Sequence, residues 1–371
     1  MTRDAHFWCL SGISFPPCDR FGNNSVTTTK RCEKVLGGFF LACLVGMTHA
    51  RTAYADGRAI IIAASNYPYL QNRNLEGPAN DAVLMSRTLN RLGLNYADIT
   101  LLAESTSARA LPTRRNILAS LDRASRQGQP GEWLIVYFSG HGSQVPQAKP
   151  RNGHTEPEGL DEIFLPRDTR RWLPEKNLVE GALLDDDIGV ALDRIRARGI
   201  NVWAIFDTCH AGDMAKGGFS FEPDAPVYRY VSPFSLGIPT ELFARTSRRD
   251  ATRTRIAMAQ KVPATTRQHS VGQLITFYAS RSDEPAAEEL LPDPSTPVQR
   301  LRYGVFTYAL HQQTEKWNGS FRELANRLRG FYKDRPFPTP QFEGVLETDV
   351  RFPSKAQQPD KPARAASVSL P

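Results

Sequence analysis

The sequence predicts an α/β protein, a three-layer αβα sandwich around a mostly parallel central sheet. Two observations point there. Short apolar runs alternate with amphipathic stretches from Arg58 to Asp207. The runs are apolar at consecutive positions instead of every second one, as expected of strands buried on both faces.

The elements follow in order. Ala59 to Ala64 reads as a buried strand that ends in the turn Ser65-Asn66-Tyr67-Pro68. Asp81 to Leu92 carries Val83, Leu84, Leu89 and Leu92 at helical spacing and stops at Gly93. Ile99 to Ala103 is a second strand, and Thr113 is placed to cap a helix through Ile117, Leu118 and Leu121. Trp133 to Phe138 is a third strand. Asp185 to Asp187 begin a helix whose dipole favours acids at its start, and Val202 to Phe206 is a fourth strand. Residues 213–272 lose periodicity and gain Arg, Thr, Ser and Pro, so they read as a long mobile connection. Order returns with a strand at Leu274 to Ala279 and helices over Val305–Glu315 and Phe321–Tyr332. Thr339 to Gly344 is expected to close the fold, and 351–371 to be disordered.

The chain has 371 residues, and its hydrophobic fraction of 40% is enough for a real core. Its net charge is +7, but many arginines crowd into Arg245 to Arg255 without interleaved aromatics. That pattern suits a solvated loop better than an acidic partner, and no nucleic acid is expected. Cys9, Cys18, Cys32 and Cys43 lie in the first fifty residues, and from Asp56 onward Cys209 is alone. The folded body, 56–350, is therefore no disulfide scaffold.

Within residues 1–55, basic Lys30 to Lys34 precedes the apolar run Val35 to Met47 and then Ala53-Tyr54-Ala55. This suits a signal peptide cut after Ala55, too short to span a bilayer. A buried N-terminal strand is the plainer alternative. Residues 1–29 fit no export signal, which suggests a translation start near Val26. Export to the periplasm or medium is expected if the signal is used, and a cytoplasmic location otherwise.

Two predicted strands end in unusual sequences. Ser139-Gly140-His141-Gly142-Ser143 follows the third, and Asp207-Thr208-Cys209-His210-Ala211-Gly212 follows the fourth. Ligands of open parallel sheets sit beyond the carboxyl ends of the strands, so His141 and Cys209 share the functional edge. An imidazole that takes the thiol proton makes a nucleophile. The N–H groups of Gly142 and Cys209 are candidates for an oxyanion hole. A structural histidine and a buried core cysteine are the bland alternatives. A metal site at His210 and His141 is disfavoured because no ligand spacing accompanies them. There is no G-x-S-x-G elbow, and no glycine-rich phosphate loop follows a strand.

Tyr137-Phe138-Ser139-Gly140-His141-Gly142 and Phe206-Asp207-Thr208-Cys209-His210 resemble the two catalytic signatures of the caspase and metacaspase superfamily, peptidase family C14 of clan CD. Further segments match in order, including Leu75 to Asp81, Gly159-Leu160-Asp161-Glu162, Phe277-Tyr278-Ala279-Ser280 and Thr339-Pro340-Gln341. The resemblance covers about Arg58 to Gly344 and suggests a bacterial metacaspase-like chain. It departs at Ala211, where serine is usual, and at Pro78.

The resemblance implies a caspase-like fold, with a large-subunit-like part over 56–212 and a small-subunit-like part over 273–350. It implies a cysteine endopeptidase of the EC 3.4.22 type, in which Cys209 and His141 act through a thioester acyl-enzyme. It further implies cleavage after Arg or Lys, with Asp81, Ser139 and Asp207 holding the basic side chain. The alternative roles for Asp207 and Asp81 are a turn cap and a helix start. Calcium, which such enzymes often use, would meet Asp185 and Asp186. Thr155 and Lys216 stand where the family supplies aspartates, so any such site is expected to be weak and no cofactor required. Expected partners are protein or peptide substrates with basic residues, and a monomer with no membrane span is expected. The basic residues of 213–272, Arg229 among them, are expected sites of self-clipping. A non-catalytic scaffold and a peptide ligase on the same fold are the other readings.

Overall fold

The apolar runs assemble into one six-stranded sheet in a computed structural model that describes residues 57–105, 108–147, 159–209, 224–244, 271–335 and 338–349. The signal segment, His210, Thr155, Lys216 and the tail lie outside the described residues.

In chain order the large-subunit-like part contributes β1 (Gly57–Ala63), α1 (Gly77–Arg91), β2 (Ile99–Ala103), α2 (Arg114–Gln127) and β3 (Trp133–Ser139). A small antiparallel layer follows, made of β4 (Gly142–Pro146), β5 (Leu160–Phe164), β6 (Trp172–Leu173), β7 (Leu178–Val179) and β8 (Leu183–Leu184). Then come α3 (Asp185–Arg196) and β9 (Asn201–Asp207). The rest is β10 (Val227–Tyr228), α4 (Thr240–Ala244), β11 (Leu274–Tyr278), β12 (Ala287–Asp293), β13 (Thr296–Gly304), α5 (Val305–Gln313), α6 (Phe321–Phe331) and β14 (Gln341–Gly344).

The main sheet runs β14-β11-β9-β3-β1-β2, and only β14 is antiparallel to its neighbour. Strands from both sides of the 213–272 connection therefore share one sheet. Strand periodicity sorts the core into two layers. Ile61, Ile135, Tyr137, Trp203, Ile205 and Phe277 face α1, α5 and α6, meeting Met85, Leu89, Phe306, Leu310, Phe321 and Leu328. Ile60, Ile62, Leu134, Val136, Phe138 and Ala204 face α2 and α3, meeting Ile117, Leu121, Ile188, Leu192 and Ile195. This is the predicted three-layer sandwich.

Local signals set the helix ends. Thr113 accepts a hydrogen bond from the Asn116 N–H at the start of α2. Ser320 does the same for Glu323 at the start of α6, an S-x-x-E pattern.

One sequence expectation needs correction. Residues 213–272 are not uniformly irregular, because 224–244 contain β10, a 3-10 turn at Pro233–Leu236 and α4. Burial of Val231, Pro233, Leu236 and Ile238 fixes this segment, and Arg229 is fully buried. The hairpin β12–β13 was also not anticipated. Its outer half is exposed, so no burial rhythm marks it.

Candidate active site

β3 and β9 are adjacent and parallel, with Ser139 in register with Asp207. His141 and Cys209 each lie two residues beyond that pair, so the register brings both to one edge. Gly140 makes the turn between β3 and His141. Its φ is +149°, and an added Cβ would come within 2.8 Å of the Tyr67 hydroxyl.

His141 is buried and held on three sides. Its backbone N–H donates to the Tyr67 hydroxyl at 2.8 Å, and that hydroxyl donates to the Ala64 carbonyl. The Tyr67 ring packs against the imidazole with centroids 5.0 Å apart. Nε2 lies 2.9 Å from the Arg73 carbonyl. A carbonyl only accepts, so Nε2 carries the proton and Nδ1 presents a lone pair. Nδ1 is buried without a hydrogen-bond partner. Burial lowers the imidazole pKa to about 3, so the ring is neutral near pH 7.

Cys209 is fully buried at the end of β9, its Sγ 3.6 Å from the Glu284 carbonyl. It packs in the core layer that contains Ala279 and Ala286.

Asp81, Ser139 and Asp207 come together in one fully buried pocket. Ser139 Oγ donates to Asp81 Oδ2 at 2.8 Å. Asp81 Oδ1 accepts from the Gly304 N–H at 2.9 Å. Asp207 Oδ2 accepts from both the N–H and the hydroxyl of Thr307, at 3.0 and 2.6 Å. Asp81 lies inside α1 and does not cap it, and Asp207 turns to the pocket instead of closing a turn. Gly304 forms part of the wall. A Cβ there would collide with the Asp207 carboxylate and the Arg229 guanidinium. Burial pushes the Asp81 carboxyl up to about 6, against the pull of Arg229.

Two pocket residues were not found from sequence. Arg229 contributes a guanidinium whose Nη2 lies 2.5 Å from Asp81 Oδ2 and whose Nη1 lies 3.1 Å from Asp207 Oδ1. Nη1 also donates to Ser139 Oγ and the Asp207 carbonyl, each at 3.0 Å. Glu288 adds a third carboxylate 3.6 Å from Arg229. The expected oxyanion donor Gly142 N–H is 2.9 Å from the Arg229 carbonyl.

Asp185 and Asp186 lie in the first turn of α3, and the neighbouring Asp187 pairs with Arg114 at 2.9 Å. Among the described residues, no group of three or more His, Cys, Asp or Glu side chains is placed to hold a metal. Calcium takes six to eight oxygens, so the two carboxylates do not make a site by themselves. Among the same residues, no helix is long and apolar enough to cross a membrane.

The chain belongs to the caspase-domain family, whose profile matches residues 56–349. It is a cysteine protease at the level of that family. It is 24% identical to Metacaspase-1B of Aspergillus fumigatus over 331 residues, covering 82% of this chain and 74% of the relative. It is 32% identical to Metacaspase-1 of Mycosarcoma maydis over 156 residues, covering 42% of this chain and 36% of the relative. The chain thus spans between about a third and three quarters of these relatives' lengths. Among solved structures, protein GSU0716 from Geobacter sulfurreducens matches with a TM-score of 0.49 and 19% identity, covering 81% of this chain and 96% of that one.

Proposed function

We propose that this chain hydrolyses peptide bonds after arginine or lysine. The observation that carries the reading is the buried Asp81, Ser139 and Asp207 cradle, which accommodates a guanidinium with four contacts of 3.1 Å or less. Two carboxylates and a hydroxyl match a planar cation and would leave an aspartyl side chain facing like charge.

In the proposed reaction His141 Nδ1 takes the Cys209 thiol proton. The thiolate attacks the carbonyl carbon of the basic residue. The developing oxyanion lies against the N–H groups of Gly142 and Cys209. Collapse forms the thioester and breaks the peptide bond, and the amine leaves with the proton from His141. Water then attacks the thioester, returning acid and thiol.

Fluorogenic peptides that differ only before the scissile bond test this. Arginyl and lysyl peptides are expected to be cleaved and the aspartyl one left intact. Preference for aspartate would refute the pocket. Transfer of the acyl group to an added amine in place of water would favour a ligase. We also propose that calcium is not needed, because Thr155 and Lys216 stand where the family supplies aspartates. Turnover is expected to persist in EGTA. Loss in EGTA with recovery in millimolar calcium would overturn that. The Lys30 to Ala55 segment supports export, with a mature chain beginning at Asp56.

A further inference from the structure

We infer that Thr307 is a specificity-determining positioning residue: it turns the Asp207 carboxylate so that one oxygen faces the basic side chain of the substrate. The inference rests on the arginine or lysine reading and adds the residue that tunes it.

The two pocket carboxylates reach the start of one helix from distant parts of the chain. Gly304 stands at the N-terminal boundary of α5, and its N–H donates to Asp81 Oδ1. Thr307, in the first turn, donates its N–H and its hydroxyl to Asp207 Oδ2. The first N–H groups of a helix have no partner within it, and the dipole favours negative charge there. Each carboxylate therefore has one oxygen tied to α5 and one left over. The left-over oxygens are the ones that meet the guanidinium, Asp81 Oδ2 at 2.5 Å and Asp207 Oδ1 at 3.1 Å. Asp81 Oδ2 also accepts from Ser139 Oγ, so a second group holds it in place. Among the described residues, Asp207 Oδ1 accepts no hydrogen bond, so its direction depends on what holds Oδ2.

The Thr307 hydroxyl is itself committed. Its proton goes to Asp207, so the Tyr137 hydroxyl 2.5 Å away donates to Thr307 Oγ. Tyr137, Thr307 and Asp207 thus form a buried chain of hydrogen bonds that points one way. The helix that carries it is fixed, because Phe306 and Leu310 lie in the core. The Asp81 helix, α1, is joined to α5 where Thr88 Oγ1 lies 2.8 Å from His311 Nδ1. A site on such rigid elements is held more closely than one on a loop. Loss of the Thr307 hydroxyl leaves one bond on Oδ2, and the carboxylate is then free to pivot about it.

The test measures kcat/KM for arginyl and neutral peptides, together with thermal stability. It compares wild type, Thr307→Val, Thr307→Ser and the double variant Thr307→Val with Tyr137→Phe. Whatever a peptide displaces from the pocket cancels in the ratio of the arginyl to the neutral value. Thr307→Val is expected to lower that ratio about tenfold, and Thr307→Ser to keep it within about twofold of wild type. Thr307→Val also leaves the Tyr137 hydroxyl buried without its acceptor, so it is expected to be less stable. The double variant removes that orphaned hydroxyl and is expected to regain stability but not selectivity. It decides the matter where the single variant does not fold. Selectivity that returns with stability would make Thr307 structural and overturn the inference, as would a wild-type ratio in folded Thr307→Val. A wild type with no preference for the arginyl peptide would instead overturn the basic-residue reading, and this inference with it.

Discussion

Replacing Cys209 with alanine is expected to abolish peptide turnover, and His141→Ala to lower kcat/KM at least ~10²–10⁴-fold. The reason is geometric. The β3–β9 register brings His141 and Cys209 to one edge, and the Arg73 carbonyl holds Nε2, leaving Nδ1 as the acceptor. With that proton already on Nε2, the neutral ring needs no tautomer change to act as base. His210→Ala is expected to do far less. If His210 proved as essential as His141, the assignment of the base would be wrong. Neither change at the dyad should unfold the protein, since the sheet and both core layers are built without the reacting atoms. Folding by circular dichroism checks this.

The second large effect is expected at Asp207. Asp207→Ala should cut kcat/KM for an arginyl peptide by roughly 10- to 200-fold, the ~1.5–3 kcal/mol of a charged hydrogen bond. Asp207→Asn keeps the shape and the bonds from Thr307 as far as an amide allows, and should still lose most of the discrimination for arginine. Kinetics with arginyl and neutral peptides check it, and an equal drop for both would contradict a cation pocket. The pH dependence has a definite sign. The Asp81 carboxyl is raised to about 6 by burial, so it is anionic above that pH and neutral below. Selectivity for arginine should therefore fall as pH drops through about 6.

Most of the sheet was legible in the sequence because its strands are buried on both faces, and continuous apolar runs such as Trp133–Phe138 have no other simple reading. The functional edge was legible for the same reason: the motifs sit where those runs stop. Ser139 and Asp207 come side by side because each is the last residue of its strand. Arg229 and Glu288 were not recognised as pocket residues. Arg229 was one of nine basic residues in a polar stretch, and nothing local sets it apart from Arg245 or Lys261. Its burial arises from pairing between Tyr228 and Ala287, 59 positions apart, and from carboxylates on three other elements. Glu288 opens a hairpin whose exposed half hides its inner end. Composition alone marked the segment as loop, whereas tertiary contacts fold it.

The most direct measurement of the central claim is covalent trapping of the nucleophile. Wild-type chain is exhausted with two electrophilic peptide ketones, one ending in arginine and one in aspartate, and the adduct is located by tandem mass spectrometry. The account predicts one adduct, on Cys209, from the arginyl reagent alone, and none in Cys209→Ala. An adduct on another residue, or faster labelling by the aspartyl reagent, would contradict it.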